Sequence, residues 1–146
     1  MKKILVAIDF SDVTDAVLEE TYRQATVSKG LVELVHVAHH EPALVGFTGG
    51  PLMEMEYVSS SLDSERSKLE AFADQLRERG VDVTTKVVAG STVEEIIKEV
   101  DAKHFDLIIG GCHGRGALFN LVVGSVTQSL LHEAKVPMLI VPAKDS

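Results

Sequence analysis

The sequence predicts an α/β fold: a single domain over residues 1–146, an open, doubly wound five-stranded parallel sheet flanked by helices, of Rossmann-like type. Three observations predict it. Short runs rich in Val, Ile and Leu alternate along the chain with segments of helical period. The runs at 4–8, 107–109 and 138–141 are apolar without polar alternation, the pattern of strands covered on both faces. A chain of 146 residues, 45% of them hydrophobic, suffices for one core, and no repeat or linker divides it.

Ile4-Leu5-Val6-Ala7-Ile8 is the first strand and ends at Asp9-Phe10-Ser11. Ser11 is placed to cap a helix reaching about Val27, with Ala16, Val17, Glu20 and Ala25 at helical spacing and Gly30 as its left-handed stop. Val32 to Val37 is a second strand. The stretch from His39 to about Ser59, rich in Gly, Pro and Met without a clear period, reads as a loop. From Ser61 to Arg79, Leu62, Leu69, Phe72, Ala73 and Leu76 share one helical face, and Gly80 ends the helix.

Val81 to Val88 is β-branched and alternating, a third strand that turns at Ala89-Gly90. Ser91 and Glu94 fit a capping box, in which each side chain accepts from the other's free backbone N–H, opening a helix to about Lys103. Leu107 to Gly110 is a fourth strand, Ser125 to His132 a helix, and Met138 to Val141 a fifth strand between Pro137 and Pro142. Strict alternation of strand and helix implies parallel pairing through right-handed crossovers.

Composition restricts function. The formal charge of −8 opposes an extended basic face, so nucleic acid is not an expected partner. A single cysteine, Cys112, excludes an internal disulfide and fits a reducing compartment. The basic start Met1-Lys2-Lys3 precedes an apolar run that stops at Asp9 without a cleavage region, and no apolar stretch approaches the roughly 20 residues that span a bilayer. A cytoplasmic protein without membrane insertion is expected.

In open sheets of this kind a ligand lies beyond the carboxyl ends of the strands, where the strand order reverses. Asp9, Phe10, Ser11 and Asp12 follow strand one. The glycine loop Gly110-Gly111-Cys112-His113-Gly114-Arg115-Gly116 follows strand four, and Gly124-Ser125 opens the next helix. Glycines let backbone N–H groups approach an anion, and a helix start supplies free donors at the positive end of its dipole. Arg115 is the nearby cation.

Gly111-x-x-Gly114, nine further residues and Gly124-Ser125, with Val6-Ala7-Ile8-Asp9, resemble the universal stress protein family, whose nucleotide-binding members carry G-x-x-G-x9-G-[ST]. The resemblance runs through nearly the whole chain, including His36-Val37, His113-Gly114-Arg115, Gly124-Ser125-Val126-Thr127 and Val136-Pro137. It implies strand order 3-2-1-4-5 and ATP, or ADP or AMP, with or without Mg²⁺, bound where strands one and four diverge. It also implies a homodimer joined partly through the fifth strand. Carried over by position, Ala7, Asp9 and Val37 would lie along adenine and ribose, and Gly111, Gly114, Gly124, Ser125 and Val126 around the phosphates. His113 and Arg115 would stand beside them. Cys112 departs from the serine or threonine frequent in the family, and Gly116 to Asn120 is a less typical linking stretch.

Several sharper readings are weaker. Asp9 at a strand end also suits a plain Asx turn. His36, His39 and His40 lack the carboxylate or cysteine that would complete a metal site, and adjacent histidines point apart on an extended chain. There is no G-x-S-x-G elbow, Walker lysine or G-x-G-x-x-G after strand one, so no dedicated catalyst is indicated. The expected function is an adenine-nucleotide-binding regulator, a dimeric switch acting in stress response on a target such as a transporter or an enzyme. The alternatives are slow ATP hydrolysis or self-phosphorylation, and an interaction module that binds no nucleotide.

Overall fold

The computed structural model describes residues 1–38, 50–112 and 125–143, with side chains described outside 50–61. In chain order the elements are β1 (Lys3–Ala7), α1 (Thr14–Ser28), β2 (Leu31–Ala38), α2 (Gly50–Glu78), β3 (Asp82–Ala89), α3 (Thr92–Lys103), β4 (Leu107–Cys112), α4 (Ser125–Glu133) and β5 (Met138–Pro142). They form one sheet in the order β3-β2-β1-β4-β5. Every pairing is parallel. This is the expected doubly wound architecture.

Two apolar layers sandwich the sheet. Ile4, Val6 and Ile8 point to the face where Val13 and Val17 of the α1 region and Leu69, Ala73 and Leu76 of α2 pack. Leu5 points to the other face, against Ile96 and Val100 of α3 and Leu130 of α4. Burial on both sides is why β1 and β4 carry no polar alternation. Each large aliphatic side chain so buried contributes roughly 1.5–3 kcal/mol over an exposed one.

Several local expectations are corrected. Residues 50–59, expected as loop, are helical, and α2 starts at Gly50, whereas residues 39–49 lie outside the described residues. Pro51 is the second residue of that helix, a first-turn position where its missing N–H has no intrahelical partner to lose. The left-handed stop of α1 is Lys29 (φ 52°), not Gly30. Gly30 serves close approach instead: a Cβ there would lie 3.0 Å from the Lys2 carbonyl oxygen, beside the bond from Leu31 N–H to the same carbonyl.

Ser11 does not cap α1 through its side chain. Val13 occupies the N-cap, and the Ser11 carbonyl accepts from Thr14 N–H. The displacement arises because Asp9 Oδ1 accepts the Ser11 N–H at 3.1 Å, an Asx turn that puts Phe10 in the left-handed region (φ 59°). Ser91 does stand at the N-cap of α3, but only its backbone carbonyl is engaged, accepting from Glu95 N–H, so the reciprocal capping box is not formed. Gly80 (φ 88°) follows α2 as expected. Finally, β4 runs on to Cys112, so Gly111 and Cys112 pair with Val141 and Pro142 of β5 and belong to the strand, not to a loop.

Candidate functional site

The sheet opens where its order reverses. β1 and β4 pair over three residues only, Ile4↔Leu107 to Val6↔Ile109. Beyond them β1 stays with β2 up to Ala7↔Val35, while β4 stays with β5 up to Cys112↔Pro142. The split leaves a cavity of about 540 Å³ at the carboxyl edge, between the sheet and the helices α3 and α4. That volume lies in the range of small-molecule sites.

Ala7 and Asp9 from the end of β1, Val37 from β2, Gly111 from β4, and Ser125 and Val126 from the start of α4 all line this cavity. These are six of the ten site residues the sequence reading named. The other four, His113, Gly114, Arg115 and Gly124, lie outside the described residues.

Chain position explains the convergence. In a parallel sheet all strand ends and helix starts share one edge, so residues far apart in sequence meet there. The floor is apolar, formed by Val35, Ile96, Ile108, Leu130, Met138 and Ile140, and suits a flat hydrophobic ring. The rim carries Asp9, Thr92, Ser125 and Thr127. Asp9 is exposed, and its Oδ1 is held by Ser11 N–H, which aims the carboxylate from the strand end.

The helix starts at this edge differ in charge. Of the two helix starts that line the cavity, the first turn of α3 carries Glu94 and Glu95, whereas the first turn of α4 has no acidic residue. An anion is therefore best received at Ser125 and Val126, where the dipole is positive and no carboxylate opposes it. Among the described lining residues there is no Lys or Arg.

The two adjacent glycines of β4 do different things. Gly111 faces α1, where a Cβ would overlap Val13 Cγ1 and come within 3.2 Å of Val17 Cγ2. Gly110 lines the cavity, and a Cβ there would meet no atom within 4 Å. Gly110 keeps the cavity open, and nothing in the sequence sets its role apart from that of Gly111. The sequence reading passed over Ile96, Ile108, Leu130 and Ile140 as lining, because core residues and pocket floor carry the same apolar signal.

His36 sits at the same edge, 8% exposed. Its Nδ1 is 2.7 Å from the Ile8 carbonyl oxygen and its Nε2 is 3.4 Å from Glu65 Oε2. Phe10 covers the ring at 4.3 Å between centroids. Among the described residues no helix is long and apolar enough to cross a membrane.

The sequence matches the family profile described as the universal stress protein family over residues 1–142. Universal stress protein MJ0577 of Methanocaldococcus jannaschii is 29% identical over 157 residues, covering 99% of this chain and 97% of that protein. Its solved structure superposes with a TM-score of 0.76 at 28% identity, covering 99% of this chain and 98% of the other. A universal stress protein in complex with cAMP has a TM-score of 0.70 at 18% identity over 98% of each chain. One from Archaeoglobus fulgidus in complex with dAMP has a TM-score of 0.64 at 19% identity, over 97% of this chain and 98% of that one. At those identities the likeness concerns the fold.

Proposed function

This chain belongs to the universal stress protein family, and on that premise we propose that it binds an adenine nucleotide in the cavity between β1 and β4 and acts as a regulator, not as a dedicated enzyme. The observation that carries the proposal is the meeting of Ala7, Asp9, Val37, Gly111, Ser125 and Val126 around one cavity with an apolar floor and a helix start at its rim. Support also comes from two proteins of the same fold, solved with cAMP and with dAMP.

In this reading adenine lies on the apolar floor beside Ala7 and Val37, and Asp9 accepts hydrogen bonds from the ribose hydroxyls. The phosphates reach the start of α4, where the Ser125 and Val126 N–H groups and the Ser125 hydroxyl donate. The open face of Gly110 is a cradle that any side chain would fill, which fits a ligand pressed against backbone. His113, Gly114, Arg115 and Gly124 complete the phosphate end, with Arg115 supplying the positive charge that the described lining lacks. The nucleotide is ATP, or ADP or AMP, and Mg²⁺ would accompany a triphosphate.

The chain carries no Walker lysine and no kinase signature, so we read the site as a binding site first. The bound nucleotide biases a cytoplasmic homodimer joined through β5, and the dimer in turn acts on a protein target.

Mass spectrometry of the small molecules released on denaturing the purified protein tests the reading. An adenine nucleotide near one per chain is expected, and Gly114→Ala with Ser125→Ala should abolish it. Repeated preparations without adenine, together with no calorimetric binding of ATP, ADP or AMP, would leave the interaction-module alternative in its place.

A further inference from the structure

His36 and Glu65 line the cavity beside Asp9, and His36 also holds both chain neighbours of Asp9. The Ile8 carbonyl can only accept, so the His36 Nδ1–H donates to it across 2.7 Å. On the other side of Asp9, the Phe10 ring lies on the imidazole at 4.3 Å and 35°. Phe10 is in the left-handed region (φ 59°), a conformation costly for a bulky residue and kept only where its surroundings impose it. The Asx turn at Asp9 sets that conformation, and the imidazole, the Phe72 ring at 6.1 Å and the Lys68 ammonium 5.7 Å from the Phe10 centroid hold the side chain in place.

Glu65 of α2 stands on the other side of the imidazole. Glu65 Oε2 is buried without a hydrogen bond among the described residues, and His36 Nε2 stands 3.4 Å from it. The bond to the Ile8 carbonyl and the Phe10 ring lying on it give the imidazole one rotational setting, and the next residue of β2, Val37, lines the cavity. A residue that served packing alone would need neither the carbonyl nor the carboxylate.

We propose that His36 is a positioning residue of the nucleotide site: by gripping Ile8 and Phe10 it fixes the direction of the Asp9 carboxylate toward the sugar hydroxyls, and so sets the preference for ribonucleotides. The inference rests on the adenine-nucleotide reading above. It makes His36 a determinant of sugar selectivity that acts through Asp9.

Calorimetric affinities for ATP and for 2′,3′-dideoxy-ATP test it. Wild-type protein should prefer ATP by about tenfold or more, the worth of hydrogen bonds to a charged carboxylate. In His36→Leu the ATP affinity should fall to the dideoxy level while the dideoxy affinity stays within about threefold. His36→Asn, which keeps a donor for the Ile8 carbonyl, should restore most of the preference. Asp9→Asn should lose the preference as well, and its combination with His36→Leu should add nothing further. Phe10→Gly keeps the left-handed backbone, removes the stacking and serves where His36→Leu does not fold; it should show the same selective loss. Equal weakening of both ligands in the His36 and Phe10 variants, or no change in either, overturns the assignment while nucleotide binding stands. A wild-type protein that binds neither ligand overturns the nucleotide reading and this inference with it.

Discussion

At the scale of single residues, Gly110 and Gly111 separate recognition from stability. A Cβ at Gly111 overlaps Val13, so Gly111→Ala must push α1 away from β4 and should destabilise the fold by about 1–3 kcal/mol, read as a lower urea midpoint. Gly110→Val meets no atom within 4 Å at its Cβ and should leave stability within about 0.5 kcal/mol while filling the cavity and abolishing nucleotide binding. Both glycines line the cavity, and the sequence does not say which of them also packs against α1. Successive strand residues face opposite sides, and which glycine faces α1 depends on where β4 ends and how it registers with β5. Asp9 was legible because it follows a strand whose apolar run is plain in the sequence, whereas Ala7 and Val37 came only from the family resemblance. The grip of His36 on the neighbours of Asp9 was not. It depends on a left-handed Phe10, and a bulky residue gives no sequence signal for that conformation.

At the scale of elements, α3 is tied to the sheet by charges as well as by Ile96 and Val100. Glu33 of β2 and Glu99 of α3 are both buried, Lys103 bridges them at 2.7 and 2.6 Å, and Lys86 of β3 pairs with Glu99. Burial alone would raise the Glu99 pKa, but hydrogen bonds with Lys103, Lys86 and Glu33 bring it down to about 2. Glu33 moves the other way, raised by burial and by its hydrogen bond with Glu99 against the pull of Lys103. A lowered carboxyl stabilises the fold above its unfolded value of about 4.3, and that contribution fades as pH falls toward 2. A raised carboxyl stabilises the fold below its unfolded value, and that contribution is lost as pH rises through its folded value. Glu99→Gln should therefore flatten the loss of stability between about pH 4.3 and 2 in urea midpoints taken across pH. Glu33→Gln should do more for stability at pH 7 than at pH 4. Helix existence and strand type were readable from period and branching, but helix starts were less so. Gly50-Pro51-Leu52 offers no Ser, Thr, Asp or Asn to mark a start, and α1 begins at Thr14 behind Val13, its cap, two residues past Ser11.

At the scale of the whole molecule, the sheet is most protected at its centre. Ile4, Leu5, Val6, Ile108 and Ile109 have no exposed surface, whereas Met138, Leu139 and Ile140 at the β5 edge are half-buried. Hydrogen exchange should find the amides of Val6 and Ile109 opening only with global unfolding and those of β5 opening earlier, and uniform protection across the sheet would contradict this. ATP at about a hundred times its dissociation constant adds about 2.7 kcal/mol to the folded state, so the melting temperature should rise by roughly 5–10 °C, and a flat response would count against the nucleotide reading. The alternation of strands and helices was enough to read a parallel doubly wound sheet. The strand order came from the family resemblance, because local patterns do not say which strand lies beside which. That order has a further consequence through the short pairing of β1 with β4. The opening between them follows from how the chain is routed and requires no special side chain, so substitutions at its rim can change what is bound without dismantling the sheet beneath. The cavity follows from the routing of the chain and its lining from a few residues, which lets natural variation, or an engineer, alter that lining at little risk to folding.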